Sequence, residues 1–391
     1  MLPLFVLAHL THHLVPGLLT PLLPYIRDDL SLTYTQAGWL ISVFSLAYGI
    51  SQLPAGWLAD RIGPRIIVTV GVAGVGAAGL LVGFAPTYVV LAGFLVLLGI
   101  AGGGYHPASV PIISASVEAS KRGRTLGLHQ VGGSSGYFLA PLIVYGIANA
   151  FGWRGTFLAV SIPSTVFGVV LYIMLGRLGH SSKAKAKIDA SHTETAPGPR
   201  HLRPLVTVII LGIAIMALVN STLSFIPLFI VDHFGGVSNE AAAAMISLFY
   251  IGGLFAGPLG GYFSDRLGRV PVILAAGLIA ALAIYLQNLA PLGAAFSAVL
   301  IILGMAMHLG MPVIEAYIIG HTSPHKRSTI LGVYYLGSRG GPVIAPLIGY
   351  FIDHYGFYTG FSVVGAAMAA VTLTCAILLW GSRDKFTQDI D

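Results

Sequence analysis

Eight ionisable side chains fall within stretches apolar enough to exclude water: His9, His12, His13, His106, His129, His308, Glu315 and Arg339. An ionisable group inside a membrane span is costly and is read first as a functional site. Three of them form H-x-x-H-H within "LAHLTHHLVPGLLTPLLP", residues 7–24. On a helix, positions 9, 12 and 13 share a face. Such a face can hold iron or another transition metal, relay protons, touch a substrate, or pack against water and a neighbouring helix. Glu315 is the one carboxylate well inside an apolar run. Burial favours its neutral form and a nearby cation its charged form, which makes it a candidate proton carrier; the plainer alternative is a permanently paired glutamate. Arg339 keeps its charge and offers a planar fork to a carboxylate or phosphonate, or else pairs with Glu315. His106, just before Pro107, which is expected to interrupt the fourth helix, and His129 and His308 read as hydrogen-bonded packing residues, as proton relays or as substrate donors.

The elements that must position these groups are membrane helices. The chain has 391 residues, 56% hydrophobic and 9% charged, with a mean hydropathy of +0.86. A soluble domain carries about 25% charged residues, so lipid is the expected solvent. A span needs about 20 mainly apolar residues. Twelve such segments are expected, at roughly 3–26, 35–59, 66–85, 88–116, 122–150, 154–177, 204–231, 238–263, 270–289, 292–319, 326–352 and 357–380. The first run, without a basic leader or a cleavage site, reads as a retained helix. Residues 178–203, "LGHSSKAKAKIDASHTETAPGPRHLR", read as a flexible linker. The expected domains are therefore 1–177, the linker 178–203, and 204–391. Of the 20 Lys and Arg residues, all except Arg27, Arg154 and Arg339 fall on one side of this topology. The positive-inside rule makes that side, with both termini and the linker, cytoplasmic. The lone cysteine, Cys375, offers neither a disulfide nor a Cys-based metal site.

The two halves repeat at an offset of 205. "GWLADRIGPR" (56–65) aligns with "GYFSDRLGRV" (261–270), "APLI" (140–143) with "APLI" (345–348), and Pro107 with Pro312. The ionisable residues do not repeat: His9, His12 and His13 become Ala214, Ala217 and Leu218, His106 becomes Met311, Glu315 matches Val110 and Arg339 matches Ser134. A symmetric frame carrying asymmetric charged groups is the expected pattern of a substrate or proton path added to a duplicated scaffold.

The two "DR-x-G" segments resemble the G-x-L-x-D-R-x-G-R-R signature of the major facilitator superfamily, and the resemblance covers nearly the whole chain. It implies an all-α integral membrane fold of twelve helices in two pseudo-symmetric six-helix bundles, and a gating role for Gly56, Asp60, Arg61, Gly63, Arg65, Gly261, Asp265, Arg266, Gly268 and Arg269. Gly56 and Gly261 would permit tight helix contact, and the arginines would make ion pairs that form in one state and break in the other. "TPLLPYIRDDL" (20–30) matches the P-x-x-P helix end of the superfamily's drug exporters. "GYFLAPLI" and "GGPVIAPLIG" resemble its antiporter motif, with Ala140 and Ala345 in place of glycine. "GGGYHPAS" (102–109) and "LHQVGGSSG" (128–136) most resemble the fosmidomycin-resistance branch.

A di-iron enzyme would need several histidine boxes. The other paired spacing, His321 and His325 in "HTSPH", contains Pro324, and no G-x-x-x-x-G-K-[ST] motif supplies ATP drive. The expected function is a secondary active transporter, not an enzyme, exporting a small organic solute by proton-coupled alternating access. Uptake of an organic anion by symport or uniport is the alternative; a non-transporting sensor and a histidine-rich metal protein are the other classes. No cofactor or resident metal and no nucleic acid is expected. The partners are the solute, anionic if Arg339 binds it, protons and the bilayer, with the chain a monomer in the plasma (inner) membrane.

Overall fold

Apolar segments in lipid must satisfy their backbone polar groups internally, and a helix does so within one segment. The computed structural model describes residues 1–118, 122–177, 202–322 and 324–380, and these residues form helices and connections without a strand. Nine stretches among them are long and apolar enough to cross a membrane. In order the helices are α1 (Leu2–Gly17), α2 (Leu19–Leu30), α3 (Tyr34–Ile62), α4 (Pro64–Thr69), α5 (Val75–Gly83), α6 (Tyr88–Gly102), α7 (Tyr105–Ala115), α8 (Arg122–Arg177), α9 (Leu202–Phe234), α10 (Asn239–Leu267), α11 (Arg269–Leu286), α12 (Ala294–Gly320), α13 (Pro324–Gly340) and α14 (Ala345–Leu379). A π turn, Val70–Gly74, joins α4 to α5.

Local chemistry sets the boundaries. Thr33 caps α3 in a reciprocal box with Gln36. Gly63 (φ +99°) ends α3 and Gly268 (φ +86°) ends α10, so each "DR-x-G" glycine occupies a conformation that side chains disfavour. Gly152 (φ +62°) breaks α8 between the expected spans 122–150 and 154–177, and Gly356 (φ +79°) breaks α14. The fourth expected span is also broken, but not at Pro107. The interruption falls at Gly103 and Gly104, between α6 and α7. Pro107 is the third residue of α7, where its missing N–H would have had no helical partner.

The chain divides into two compact units: Met1–Asp189 with Leu223–Ser247, and Ala190–Thr222 with Leu248–Asp391. The expected linker lies outside the described residues, apart from its last two positions at the start of α9. In the first unit, α1 lies along the first half of α8 on a stripe of small residues. A Cβ on Gly132 would come 2.2 Å from the Val6 carbonyl oxygen, one on Gly136 2.5 Å from that of Leu10, and one on Gly17 3.0 Å from Ala140 Cβ. Small residues four apart allow such backbone approach. The second unit repeats the stripe at the same offset: Gly337 faces Ile213 and Gly341 faces Ala217. The antiporter-like segments thus serve here as helix-packing surfaces. Beneath the histidines, Phe5 and Ala8 join Val68, Val72, Tyr105, Ala108 and Leu171 in a buried core.

Candidate functional site

α1, α7 and α8 bring five histidines together inside the first unit. His9, His12, His13 and His129 are at most 3% exposed, while His106 retains partial access. His9 stacks on His129 with ring centroids 4.1 Å apart. Its centroid is 4.8 Å from that of His13 and 5.0 Å from that of His106, and His13 and His106 are 5.3 Å apart. His12 stacks on Tyr105 at 4.5 Å.

Hydrogen-bond partners assign the ring protons. A carbonyl oxygen only accepts. His9 Nδ1 therefore donates to the His129 carbonyl at 2.8 Å, and His12 Nδ1 donates to the Gly71 carbonyl in the π turn at 2.7 Å. The remaining nitrogen of neutral His12 accepts from the Tyr48 hydroxyl at 3.2 Å. Tyr105 gives its single proton to the Phe5 carbonyl at 3.2 Å, so His129 Nε2 donates to Tyr105 Oη at 3.1 Å. His12 and His129 are thereby tied to neighbouring helices. His106 and His129 are linked through His9 and Tyr105.

The opposite face of α1 borders a separate apolar groove of about 430 Å³, lined by Leu7, Thr11, Leu14, Ile143 and Phe167 among others. The histidines do not line that groove.

The second unit holds the other expected groups on α12 and α13. Tyr335 donates a hydrogen bond to Glu315, and Arg339 acts electrostatically on Glu315 and on His308. All four side chains keep partial access. His308 Nδ1 donates to the Gly304 carbonyl at 2.8 Å, and its ring packs edge-on against Phe249. Gly253 leaves the space its ring fills, since a Cβ there would sit 2.7 Å away.

A family model described as Major Facilitator Superfamily matches residues 5–236 and 208–389. The chain belongs to the Major Facilitator Superfamily. It is 25% identical to the uncharacterised transporter YceJ of Bacillus subtilis (strain 168), over 94% of each protein. It is 27% identical to the multidrug resistance protein MdtG of Escherichia coli O6:K15:H31, over 94% of this chain and 90% of that one. A probable L-galactonate transporter of Escherichia coli K12 is 30% identical over 155 residues, 40% of this chain and 34% of that protein. Among solved structures, a bacterial homologue of the human lysosomal transporter Spinster, inward-facing and occupied, shares the fold with a TM-score of 0.80 at 18% identity, over 97% of this chain and 96% of that one. A POT family transporter in complex with 5-aminolevulinic acid matches with a TM-score of 0.80 at 15% identity, over 96% and 95% of the two chains. As a member of this superfamily the chain is a multi-pass membrane transporter of a small molecule, and its relatives include multidrug resistance proteins.

The superfamily signature uses its residues unequally. Arg61 lies over the Trp57 ring at 3.9 Å. Arg65 lies over Tyr172 at 3.9 Å and donates twice to the Tyr172 carbonyl, at 3.1 and 2.7 Å. Gly176 makes room for that guanidinium. Arg266 lies over Tyr262 at 4.4 Å, and Arg269 donates to the Ala316 carbonyl at 3.3 Å. Asp265 is exposed; Asp60 lies in α3 with its side chain outside the described atoms. The expected tight contact at Gly56 and Gly261 is not found. A Cβ on Gly56 meets Pro107 at an ordinary 3.6 Å, and among the described residues nothing lies within 4 Å of one on Gly261. Gly63 and Gly268 carry the conformational demand instead.

Residues not anticipated from sequence complete these clusters: Tyr48, Tyr105 and Tyr335 as hydroxyl partners, and Asp232. Within the first unit Arg27 makes a two-pronged ion pair with Asp232, and Tyr34 donates to the same carboxylate. Arg27 and Asp232 are 205 residues apart, the repeat offset itself. Opposite charges at equivalent positions were the available signal. Nearby, Arg154 pairs with Asp29 at 2.6 Å.

Proposed function

We propose that the chain is a secondary transporter that exports a small organic solute by alternating access, coupled to protons through Glu315. The observation that carries this reading is the Glu315–Tyr335–Arg339 cluster: a partly accessible carboxylate inside a span, hydrogen-bonded by a phenol and facing a fixed cation. Solute binding at Arg339 would compete with Glu315 for that cation, and the released carboxylate would take a proton. The relationship to MdtG favours export.

Splitting the two longest apolar stretches at Gly152 and Gly356, and adding α3, brings the nine spans to twelve. With the basic residues on one side, both termini would be cytoplasmic and the 178–203 segment would link two six-helix bundles. The Arg27–Asp232–Tyr34 ion pair, inside the first unit, would then lie on the opposite side and tie the end of α9 to the ends of α2 and α3.

Proteoliposome flux across a panel of cationic, neutral and anionic solutes tests the reading. Glu315→Gln should abolish flux driven by a pH gradient while solute exchange persists. Unchanged gradient-driven flux in that variant overturns the coupling role. Organic-anion uptake is the second reading, favoured by Arg339 and by the similarity to the probable L-galactonate transporter. Accumulation of anions on the side corresponding to the cytoplasm would select it.

A further inference from the structure

We propose that His9, His13 and His106 form a binding site for a divalent transition cation, held by three imidazole nitrogens with a fourth position open. One ligand nitrogen from each of the three rings lies within 4.8 Å of the others. At a zinc–nitrogen distance of about 2.0–2.1 Å, the nitrogens of a tetrahedral site stand roughly 3.4 Å apart. Modest ring rotations close the set. The three residues come from α1 and α7, so the site exists only once those helices pack.

The surroundings prepare the ligands. His9 Nδ1 donates to the His129 carbonyl at 2.8 Å, which fixes the ring and leaves Nε2 as the lone-pair nitrogen. That backbone bond behind a histidine is the support characteristic of metal-ligating imidazoles. His12 is excluded, since both its nitrogens are engaged, by Gly71 and Tyr48. Gly133 keeps the space in front of the ligands clear: a Cβ there would sit 2.6 Å from His9 Nε2 and 3.0 Å from His13 Cδ2.

The internal repeat provides an independent control. Where His9, His13 and His106 become Ala214, Leu218 and Met311, Gly133 becomes Ser338. The opening at Gly133 therefore accompanies the histidines and is absent from the copy without them, while the packing glycines Gly132 and Gly136 persist as Gly337 and Gly341.

An all-nitrogen imidazole set suits zinc, copper, nickel or iron rather than magnesium or calcium. Three neutral ligands leave the ion its full charge, so the open position favours an anion: hydroxide, or the carboxylate or phosphonate of a solute. The partly accessible His106 marks the approach.

The test uses the full chain in lipid nanodiscs, free of any histidine tag, with Zn²⁺ as the probe. One ion per chain is expected by elemental analysis. Loss of a supporting partner alone costs 10–100-fold in affinity, so His106→Ala and His13→Ala should each weaken Zn²⁺ binding by more than about 100-fold. His354→Ala, at an exposed position on α14, should leave it unchanged. His106→Ala is the variant least disturbing to the fold, and its metal-free melting temperature establishes that it is folded. Co²⁺ should give the intense visible bands of four-coordinate cobalt. Absence of stoichiometric Zn²⁺, binding that survives the His9→Ala/His106→Ala double change, or a purely octahedral Co²⁺ spectrum overturns the proposal.

Discussion

Replacing Gly132 with alanine should destabilise the protein, although the same change in an open helical position stabilises one. The added Cβ would lie 2.2 Å from the Val6 carbonyl oxygen and 2.9 Å from its carbon. Ordinary contact begins at 3.4 Å, so α1 must retreat by about 1.2 Å along this seam. The obstacle is backbone, which no rotamer change relieves. Overpacking of this kind costs roughly 1–3 kcal/mol. It exceeds the 0.4–1 kcal/mol that Gly→Ala gains by restricting the unfolded chain. At Gly93 nothing lies within 4 Å of the new methyl, so Gly93→Ala should be neutral or stabilising. At Gly337, the repeat-equivalent of Gly132, the nearest atom is the Ile213 Cδ1 tip at 2.5 Å, and that side chain can move. Gly337→Ala should therefore cost less than Gly132→Ala. Thermal unfolding of the three variants in one detergent measures the order. Equal melting temperatures for Gly132→Ala and Gly93→Ala would refute the close α1–α8 packing, and with it the placement of the histidines.

Four further outcomes follow from particular contacts. Arg27→Asp and Asp232→Arg should each lower the melting temperature, and the double swap should restore part of it; a double variant no better than either single one would contradict the ion pair. His12→Phe strands the Gly71 carbonyl and the Tyr48 hydroxyl, and an unmade buried hydrogen bond costs about 1–3 kcal/mol; an unchanged melting temperature would contradict that assignment. Gly268→Ala forces alanine to φ +86°, ψ +152°, a nearly glycine-only region that costs about 1–3 kcal/mol, whereas Gly261→Ala, with open space around its Cβ, should be tolerated in the same unfolding assay. Arg339→Lys should weaken transport of anions while sparing neutral solutes, because it removes the planar fork but keeps the charge; equal loss for both would indicate a structural arginine.

The helical frame was legible because its signals are local or strictly periodic. Apolar runs mark the spans, and the 205-residue offset aligns Gly63 with Gly268, which end α3 and α10 in the same positive-φ conformation. The repeat also contained more than its obvious identities: Gly132, Gly136 and Ala140 recur as Gly337, Gly341 and Ala345. The histidine site was legible only as a list of residues. Which partner each imidazole meets depends on helices 59 residues away for His12 and 120 residues away for His9. The Gly71 carbonyl reaches His12 from a π turn, an element that helical periodicity does not announce and that α11 lacks. Pro107 misled for a related reason: proline breaks a helix interior but fits its first turn, and only the position of the break distinguishes the two.

Coupled export is tested most directly by reversing it. In proteoliposomes loaded with a pH-sensitive dye, an imposed gradient of a transported solute should drive protons the opposite way, and Glu315→Gln should abolish that proton movement. Solute flux in the wild-type protein with no accompanying pH change would contradict the account.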